Sequence, residues 1–580
     1  MKKFGKVVLW IFAVVGILTI ILMIIAIKSF PQKKKVAIDP GTYLELSLGG
    51  VHHDYNEYKD AFFIDENSSI GDLCRKIESA EEDSRIAGII IKPQFYQAGW
   101  ALTEELRNSL IEFKQAGKKI YSYINFTSDK GYYLATVADS IFLNPVASAG
   151  LALAGIGIEL KYLKGFLDKI GVEFTVIHQG EYKGAGETYS RETISKPMKE
   201  SLTKIIENIY RNYIENSSNS RSIPLTNYEE MMENRTEFII SGQNALDYKL
   251  VDDVLLENEF VRRTSGENRV VNISDYNTKP NIISNKIAVI YAQGNIVMSN
   301  NSRFLNSNYR CITEKKIAKE IDRISKMRTV QGLVLRVNSG GGSALVSENI
   351  LNRLKELKKE KNIPIVVSMG DVAASGGYMI SCAANRIFAQ PNTITGSIGV
   401  AAMIPNWQKL REKAGVNTYL IKRGKFAGFF SPNFAPNSED VNAMEKKMKE
   451  VYISFKNIVA DNREMTMGEV QEIAQGKIWS GIEAKKIGLV DEIGGLAEAI
   501  QKAAELANIP NYSTLLLPQQ KTLIQMILDE NTGLNIQSIL PAIFYDDFSP
   551  ASELMKHKNL IKSFLREPLQ LILPFEIEIN

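Results

Sequence analysis

Residues 366–382 read VVSMGDVAASGGYMISC. The β-branched run Ile365-Val366-Val367 predicts a buried strand. Met369-Gly370-Asp371 breaks it, and the apolar run from Tyr378 to Ala384, after Ala373-Ala374-Ser375-Gly376-Gly377, predicts a buried helix. A small nucleophile between strand and helix has two chemical assets. Its Oγ is presented on a tight turn, and the first N–H groups of the helix have no intrahelical partner and point at whatever sits there. Such donors stabilise a developing oxyanion. A purely structural reading also fits, with Ser375 as an N-cap and Gly376-Gly377 permitting close packing. The rest of the chain decides between the two.

A length of 580 residues exceeds what one ordinary core holds, so two or more domains are expected. The composition, 45% hydrophobic and 23% charged, is that of a folded globular chain and argues against disorder. With 69 basic and 66 acidic residues the net charge is only +3, and no basic run is interleaved with aromatics, so nucleic acid is not an expected partner. Cys74, Cys311 and Cys382 are too far apart to form a metal-ligand spacing or a disulfide framework. The four histidines, His52, His53, His178 and His557, make no HExxH-type pattern, so a zinc site is not expected; the expected enzyme works without metal or organic cofactor.

Near the amino terminus, Val7 to Ile27 is a 21-residue run in which only Thr19 is polar, long enough to span a bilayer as one helix. Trp10 and Lys28 suit its two interfaces. No Ala-x-Ala cleavage site follows, so the expectation is an uncleaved signal anchor. Lys2, Lys3 and Lys6 before it nearly balance Lys28, Lys33, Lys34 and Lys35 after it, so charge does not fix its orientation.

From residue 40 onward the chain repeats itself at an offset near 244. Ala87-Gly88-Ile89-Ile90-Ile91-Lys92 answers Gln331-Gly332-Leu333-Val334-Leu335-Arg336. Ile141-Phe142-Leu143-Asn144-Pro145 answers Ile387-Phe388-Ala389-Gln390-Pro391, and Gly171-Val172 answers Gly415-Val416. Short apolar strands alternate with helices in each copy, which implies α/β layers with largely parallel pairing. The expected organisation is a tail at 1–6, the anchor at 7–27, a linker at 28–40, and a first α/β copy at 41–277. A polar linker at 278–286, a second copy at 287–510 and an extension at 511–580 without a counterpart complete it.

The copies differ where chemistry would be. Asp129 stands in the first copy where the second has Ser375, and Tyr96-Gln97-Ala98 replaces the cluster Gly340-Gly341-Gly342. Conversely, Lys183 in Gly180-Glu181-Tyr182-Lys183-Gly184 faces Ala427 in the second copy. A lone lysine is ordinarily a solvated surface residue, but here each half lacks what the other keeps. No histidine lies in the core motifs, and His178 near Lys183 sits at the end of an apolar strand. A lysine serves a serine as base when burial lowers its pKa. Ser397 in Thr395-Gly396-Ser397-Ile398-Gly399 could hydrogen-bond that amine and orient it, or be a turn serine.

Arg336-Val337-Asn338-Ser339-Gly340-Gly341-Gly342-Ser343, Ala373-Ala374-Ser375-Gly376-Gly377-Tyr378, Thr395-Gly396-Ser397-Ile398-Gly399 and Tyr182-Lys183-Gly184-Ala185-Gly186-Glu187 together resemble the signal peptide peptidase A (protease IV) family in its long, duplicated bacterial form. The resemblance covers roughly residues 40 to 510 and the anchor. It implies a tandem Clp-protease/crotonase-like (ββα spiral) fold, and a Ser-Lys dyad with Ser375 as nucleophile and Lys183 as general base. The oxyanion hole would come from Gly376 with Gly341 or Gly342. It further implies a bowl-shaped homotetramer on the outer face of the cytoplasmic membrane that degrades signal peptides already cleaved from secreted proteins. One departure is Gly340, where the family usually has proline. Two other readings remain at this point: a crotonase-like enzyme acting on acyl-CoA thioesters, since fold alone does not fix chemistry, and a non-catalytic membrane scaffold.

Overall fold

Two parallel sheets form because both halves offer short runs of Ile, Val and Leu that are apolar on both faces, such as Ile89-Ile90-Ile91 and Val289-Ile290, all fully or almost fully buried. The computed structural model describes residues 36–57, 68–277, 283–298, 310–520 and 569–572. The segment 7–27, expected as a membrane anchor, lies outside them. Among the described residues no helix is long and apolar enough to cross a membrane.

The duplication is written into the sheets. In the first half the strands run Val270–Asn272, Thr42–Val51, Ile86–Gln97, Lys119–Ile124, Ser140–Leu143 and Asp253–Val254, each parallel to the next. In the second half the same positions are taken by Ser513–Leu517, Lys286–Gln293, Val330–Ser339, Ile365–Ala374, Arg386–Ala389 and Glu492–Ile493, again parallel. The second unit therefore runs past residue 510: Ser513–Leu517 is the counterpart of Val270–Asn272, so part of the expected extension belongs to the repeat.

The strand leading to Ser375 does not stop at Met369-Gly370-Asp371. It continues to Ala374 through a bulge, because Val337 pairs with Met369 whereas Ser339, two residues on, pairs with Ala373. The bulge turns Asp371 toward the first half. Its Oδ1 accepts the Ala101 and Leu102 N–H groups at 3.1 Å, capping the helix Trp100–Gln115 from the other half. Gly99 must be glycine there, since a Cβ would stand 1.9 Å from the Asp371 carboxyl carbon.

A buried ion cluster ties the halves further. Arg336, 1% exposed, donates Nε to Asp54 Oδ2 at 2.8 Å and Nη2 to Glu105 Oε2 at 2.7 Å. Glu105 also accepts the Leu496 N–H at 3.0 Å, so it holds the second half at two points. The cores interlock as well: Ile177 of the first half packs into the second core, and Ala374, Ile394 and Ile478 pack into the first.

The most consequential contact is a third sheet shared by the halves. Glu173–Gln179 of the first half pairs antiparallel with Val400–Asn406 of the second over their full lengths, from Val400 opposite Gln179 to Asn406 opposite Glu173. The ladder carries the chain that follows, with Lys183, onto the second half.

Arg336→Met would leave Asp54 and Glu105 buried without their cation. Breaking a buried pair this way costs about 3–5 kcal/mol, and chemical denaturation should show a loss of that size. A loss under about 1 kcal/mol would mean the cluster does not hold the halves together.

Candidate active site

Ser375 lies at the junction of the strand Ile365–Ala374 and the short helix Gly376–Ser381, and it is fully buried. Its φ of +56° is in the left-handed region that non-glycine residues rarely occupy. The turn is held from both sides: Ser375 N–H donates to the Gly396 carbonyl at 2.8 Å, and the Ser375 carbonyl accepts from Met379 N–H at 2.9 Å. A side chain at Gly376 would meet Ser347 Oγ at 2.6 Å and the Gly341 Cα and Gly342 N at 3.3 Å, so the glycine cluster closes directly on the Ser375 turn. At Gly342, φ is +150° and a Cβ would collide with the Ile296 carbonyl oxygen at 2.0 Å.

No proline stiffens this turn. Ser339 does so instead: its Oγ donates to the Gly294 carbonyl at 2.7 Å and accepts the Gly341 N–H at 3.1 Å. The Gly341 amide is thereby engaged, and the Gly342 nitrogen lies 3.3 Å from where a Cβ on Gly376 would stand.

Lys183 reaches this turn from the other half. It is 1% exposed, and its Nζ lies 2.7 Å from Ser375 Oγ, 2.9 Å from Ser397 Oγ and 3.0 Å from the Ser397 carbonyl oxygen. All three partners are uncharged. Burial therefore acts without a compensating carboxylate and holds the amine well below the ordinary lysine range. Ser397 is itself buried at a φ of +51°, with its N–H donating to the Lys477 carbonyl at 2.7 Å.

The lysine loop is seated by residues that its own sequence does not reveal. Tyr182 N–H donates to the Gln475 carbonyl at 2.8 Å. A Cβ on Gly476, whose φ is +79°, would stand 2.6 Å from the Lys183 N. Gly399 is equally tight, with a Cβ there 3.1 Å from Lys183 Cδ. Gln475 and Gly476 lie almost three hundred residues from Lys183 and belong to no recognisable motif, so nothing in the sequence signalled them.

The corresponding position in the first half is occupied otherwise. The Asp129 carboxylate is buried and accepts the Ala154 and Gly155 N–H groups at 2.9 and 3.2 Å, tying down the segment equivalent to Ile398-Gly399. Ala427, opposite Lys183 in the repeat, is half-buried, directly after the exposed run 412–426. His178 is exposed on the outer side of its strand, with Nδ1 3.0 Å from the Gly180 carbonyl oxygen.

Comparison with known proteins gives the same division of the chain. The model of "Peptidase family S49" matches twice, over residues 112–270 and 357–510. Protease 4 of Haemophilus influenzae is 30% identical over 89% of this chain and 86% of its own length. The chloroplastic serine protease SPPA of Arabidopsis thaliana is 31% identical over 81% of this chain and 70% of its own. A protein of Enterococcus faecium named "Putative signal peptide peptidase SppA" is 37% identical over 31% of this chain and 52% of its own. With the family unit present in both halves and the relatedness running along most of its length, the chain belongs to peptidase family S49 and is a serine protease.

Proposed function

We propose that this protease uses Ser375 as nucleophile and Lys183 as general base, and that it cuts apolar peptides, cleaved signal peptides among them, while anchored in a membrane. The observation that carries the reading is the 2.7 Å contact between Lys183 Nζ and Ser375 Oγ, made by an amine with no charged neighbour. As a neutral amine, Nζ has two hydrogens for Ser397 Oγ and the Ser397 carbonyl, and its lone pair is left for the Ser375 hydroxyl proton. Oγ then attacks the scissile carbonyl, and the oxyanion is met by the Gly376 and Gly342 amides. The protonated Lys183 returns its proton to the leaving amine, and water, deprotonated by the same amine, releases the acyl group. Each unit is taken to be a Clp-protease/crotonase-like spiral, a reading its mainly parallel sheet with flanking helices supports.

The apolar stretch 7–27 supports the anchor, and a position on the outer face of the cytoplasmic membrane is part of the same proposal. The Enterococcus relative's name supports signal peptides as a substrate class. A homotetramer is also proposed, and the duplication supplies an argument for self-association. Asn417–Arg423 is the repeat counterpart of Glu173–Gln179, yet in this chain it joins no described strand, and Tyr419 and Ile421 are 89% and 88% exposed. Its expected partner, the counterpart of Val400–Asn406, is Ile156–Tyr162 of a second copy, a head-to-tail contact of the kind that builds rings when the rotation between copies closes.

Lys183→Ala should lower kcat/KM by about 10²–10⁴-fold, the usual contribution of a positioned general base, while Ser375→Ala should remove at least about 10³-fold. Both variants should retain the wild-type circular dichroism. Activity of the wild type should fall as pH drops through the depressed lysine pKa, because protonation removes the lone pair. Near-normal turnover by Lys183→Ala would refute the dyad. For the ring, Tyr419→Asp with Ile421→Asp should reduce the light-scattering mass in detergent to that of one chain, and an unchanged mass would exclude this contact.

A further inference from the structure

Gln475, Gly476 and Lys477 bind both of the loops that meet at the site. The Gln475 carbonyl accepts the Tyr182 N–H at 2.8 Å, the Gly476 N–H donates to the Ile398 carbonyl at 2.9 Å, and the Lys477 carbonyl accepts the Ser397 N–H at 2.7 Å. One turn therefore grips the residue before Lys183, Ser397 itself and the residue after it. The approach is close at Gly180 too, where a Cβ would stand 2.6 Å from the Gln475 carbonyl carbon.

This turn has a conformation that its residues do not favour by themselves. Gln475 has a φ of +61°, in the left-handed region, and Gly476 follows at +79°. Such a conformation persists only where the surroundings hold it. Within the turn, the Lys477 N–H donates to the Ala474 carbonyl at 3.0 Å. From outside it, Tyr452 Oη accepts the Gln475 N–H at 3.1 Å. Tyr452 is buried on the long helix Ser438–Arg463. Its ring is held in turn by Lys456, whose Nζ lies 4.7 Å from the ring centre and donates to Gln471 Oε1 at 2.6 Å.

The repeat supplies a comparison. The helix Lys196–Arg221 is the counterpart of Ser438–Arg463, and Arg221 and Arg463 at their ends pair with Asp252 and Asp491. Tyr210 then stands where the second half has Tyr452. Leu151 opposite Ile240 matches Thr395 opposite Trp479, which places Thr236-Glu237-Phe238 at Gln475-Gly476-Lys477. The Thr236 backbone lies outside the left-handed region. Of the two turns, only the one beside Lys183 and Ser397 is strained.

We propose that Tyr452 is a positioning residue of the protease: its hydroxyl holds the turn Ala474–Lys477 in the shape that seats Lys183 and Ser397 against Ser375. Its effect on catalysis rests on the Ser375–Lys183 reading. Without the hydroxyl the turn relaxes, the carbonyls that anchor Tyr182 and Ser397 move, and Nζ shifts relative to Oγ. The titratable side chains on the supporting elements are Tyr182, Lys477, Tyr452 and Lys456, with the Lys477 ammonium 4.8 Å from the Tyr182 ring centre.

Tyr452→Phe removes the oxygen and keeps the ring. By hydrogen exchange, the Tyr182 and Ser397 amides should exchange at least about tenfold faster than in the wild type. With a peptide substrate, kcat should fall about 10–100-fold while KM stays within about twofold. The acid limb of the pH profile should move to higher pH, because water reaching Nζ relieves the desolvation that keeps the amine neutral. Tyr210→Phe, the same change in the other half, should leave all of these readouts at their wild-type values. Unchanged exchange at Tyr182 and Ser397 in Tyr452→Phe would overturn the proposal. So would a fall in kcat with an unmoved acid limb, or an equal response to Tyr210→Phe. A failure of the dyad would appear separately, as turnover surviving in Lys183→Ala, whatever the exchange rates.

Discussion

An amine buried without a carboxylate beside it is the constraint around which the molecule is arranged. Lysine side chains avoid such places because the charged form is penalised by desolvation. Under the proposed dyad that penalty is the useful property, since it favours the form with a free lone pair. Keeping Lys183 in place takes the antiparallel ladder Glu173–Gln179 with Val400–Asn406, the close glycine approaches at Gly399 and Gly476, and two acceptors on Ser397. The halves are further joined by Arg336 with Asp54 and Glu105, and by Asp371 at the helix Trp100–Gln115.

Duplication explains how such a site can be divided. The first copy lends the strand Glu173–Gln179 to the second, so the chain that leads to Lys183 lies against the half that carries Ser375. With Ser375 and Lys183 forming one site, as proposed, the complementary positions need neither group. Asp129 is buried and ties down its own loop, and Ala427 has no functional group. A scaffold has no reason to preserve one member of the pair in each half, and membership of a peptidase family sets aside the thioester alternative.

Much of the fold was readable because the sequence carries its own comparison. Aligning the halves exposes the strand order twice, and their disagreement at Ser375 and Lys183 singles out two residues that neither half would have distinguished. Other features were hidden for physical reasons. Met369-Gly370-Asp371 looks like the end of a strand because a bulge and a break use the same residues, and only the capping of the helix at Trp100 tells them apart. Gly476 acts through the space it leaves for Lys183, which no local pattern encodes. Ser513–Leu517 and Val270–Asn272 occupy equivalent sheet positions with little sequence in common. Leu569–Ile572 adds to a sheet through its backbone, so its side chains announced nothing.

The charge state of Lys183 in the folded protein is the most direct test of this account. Carbon-13 chemical shifts of the labelled lysine side chain, assigned by comparison with Lys183→Ala and followed with pH, report it without any assay. The account predicts a neutral amine at pH 7, with protonation only at lower pH. A side chain that stays charged through neutrality and titrates near the ordinary value of about 10.4 would contradict it, however short the distance to Ser375.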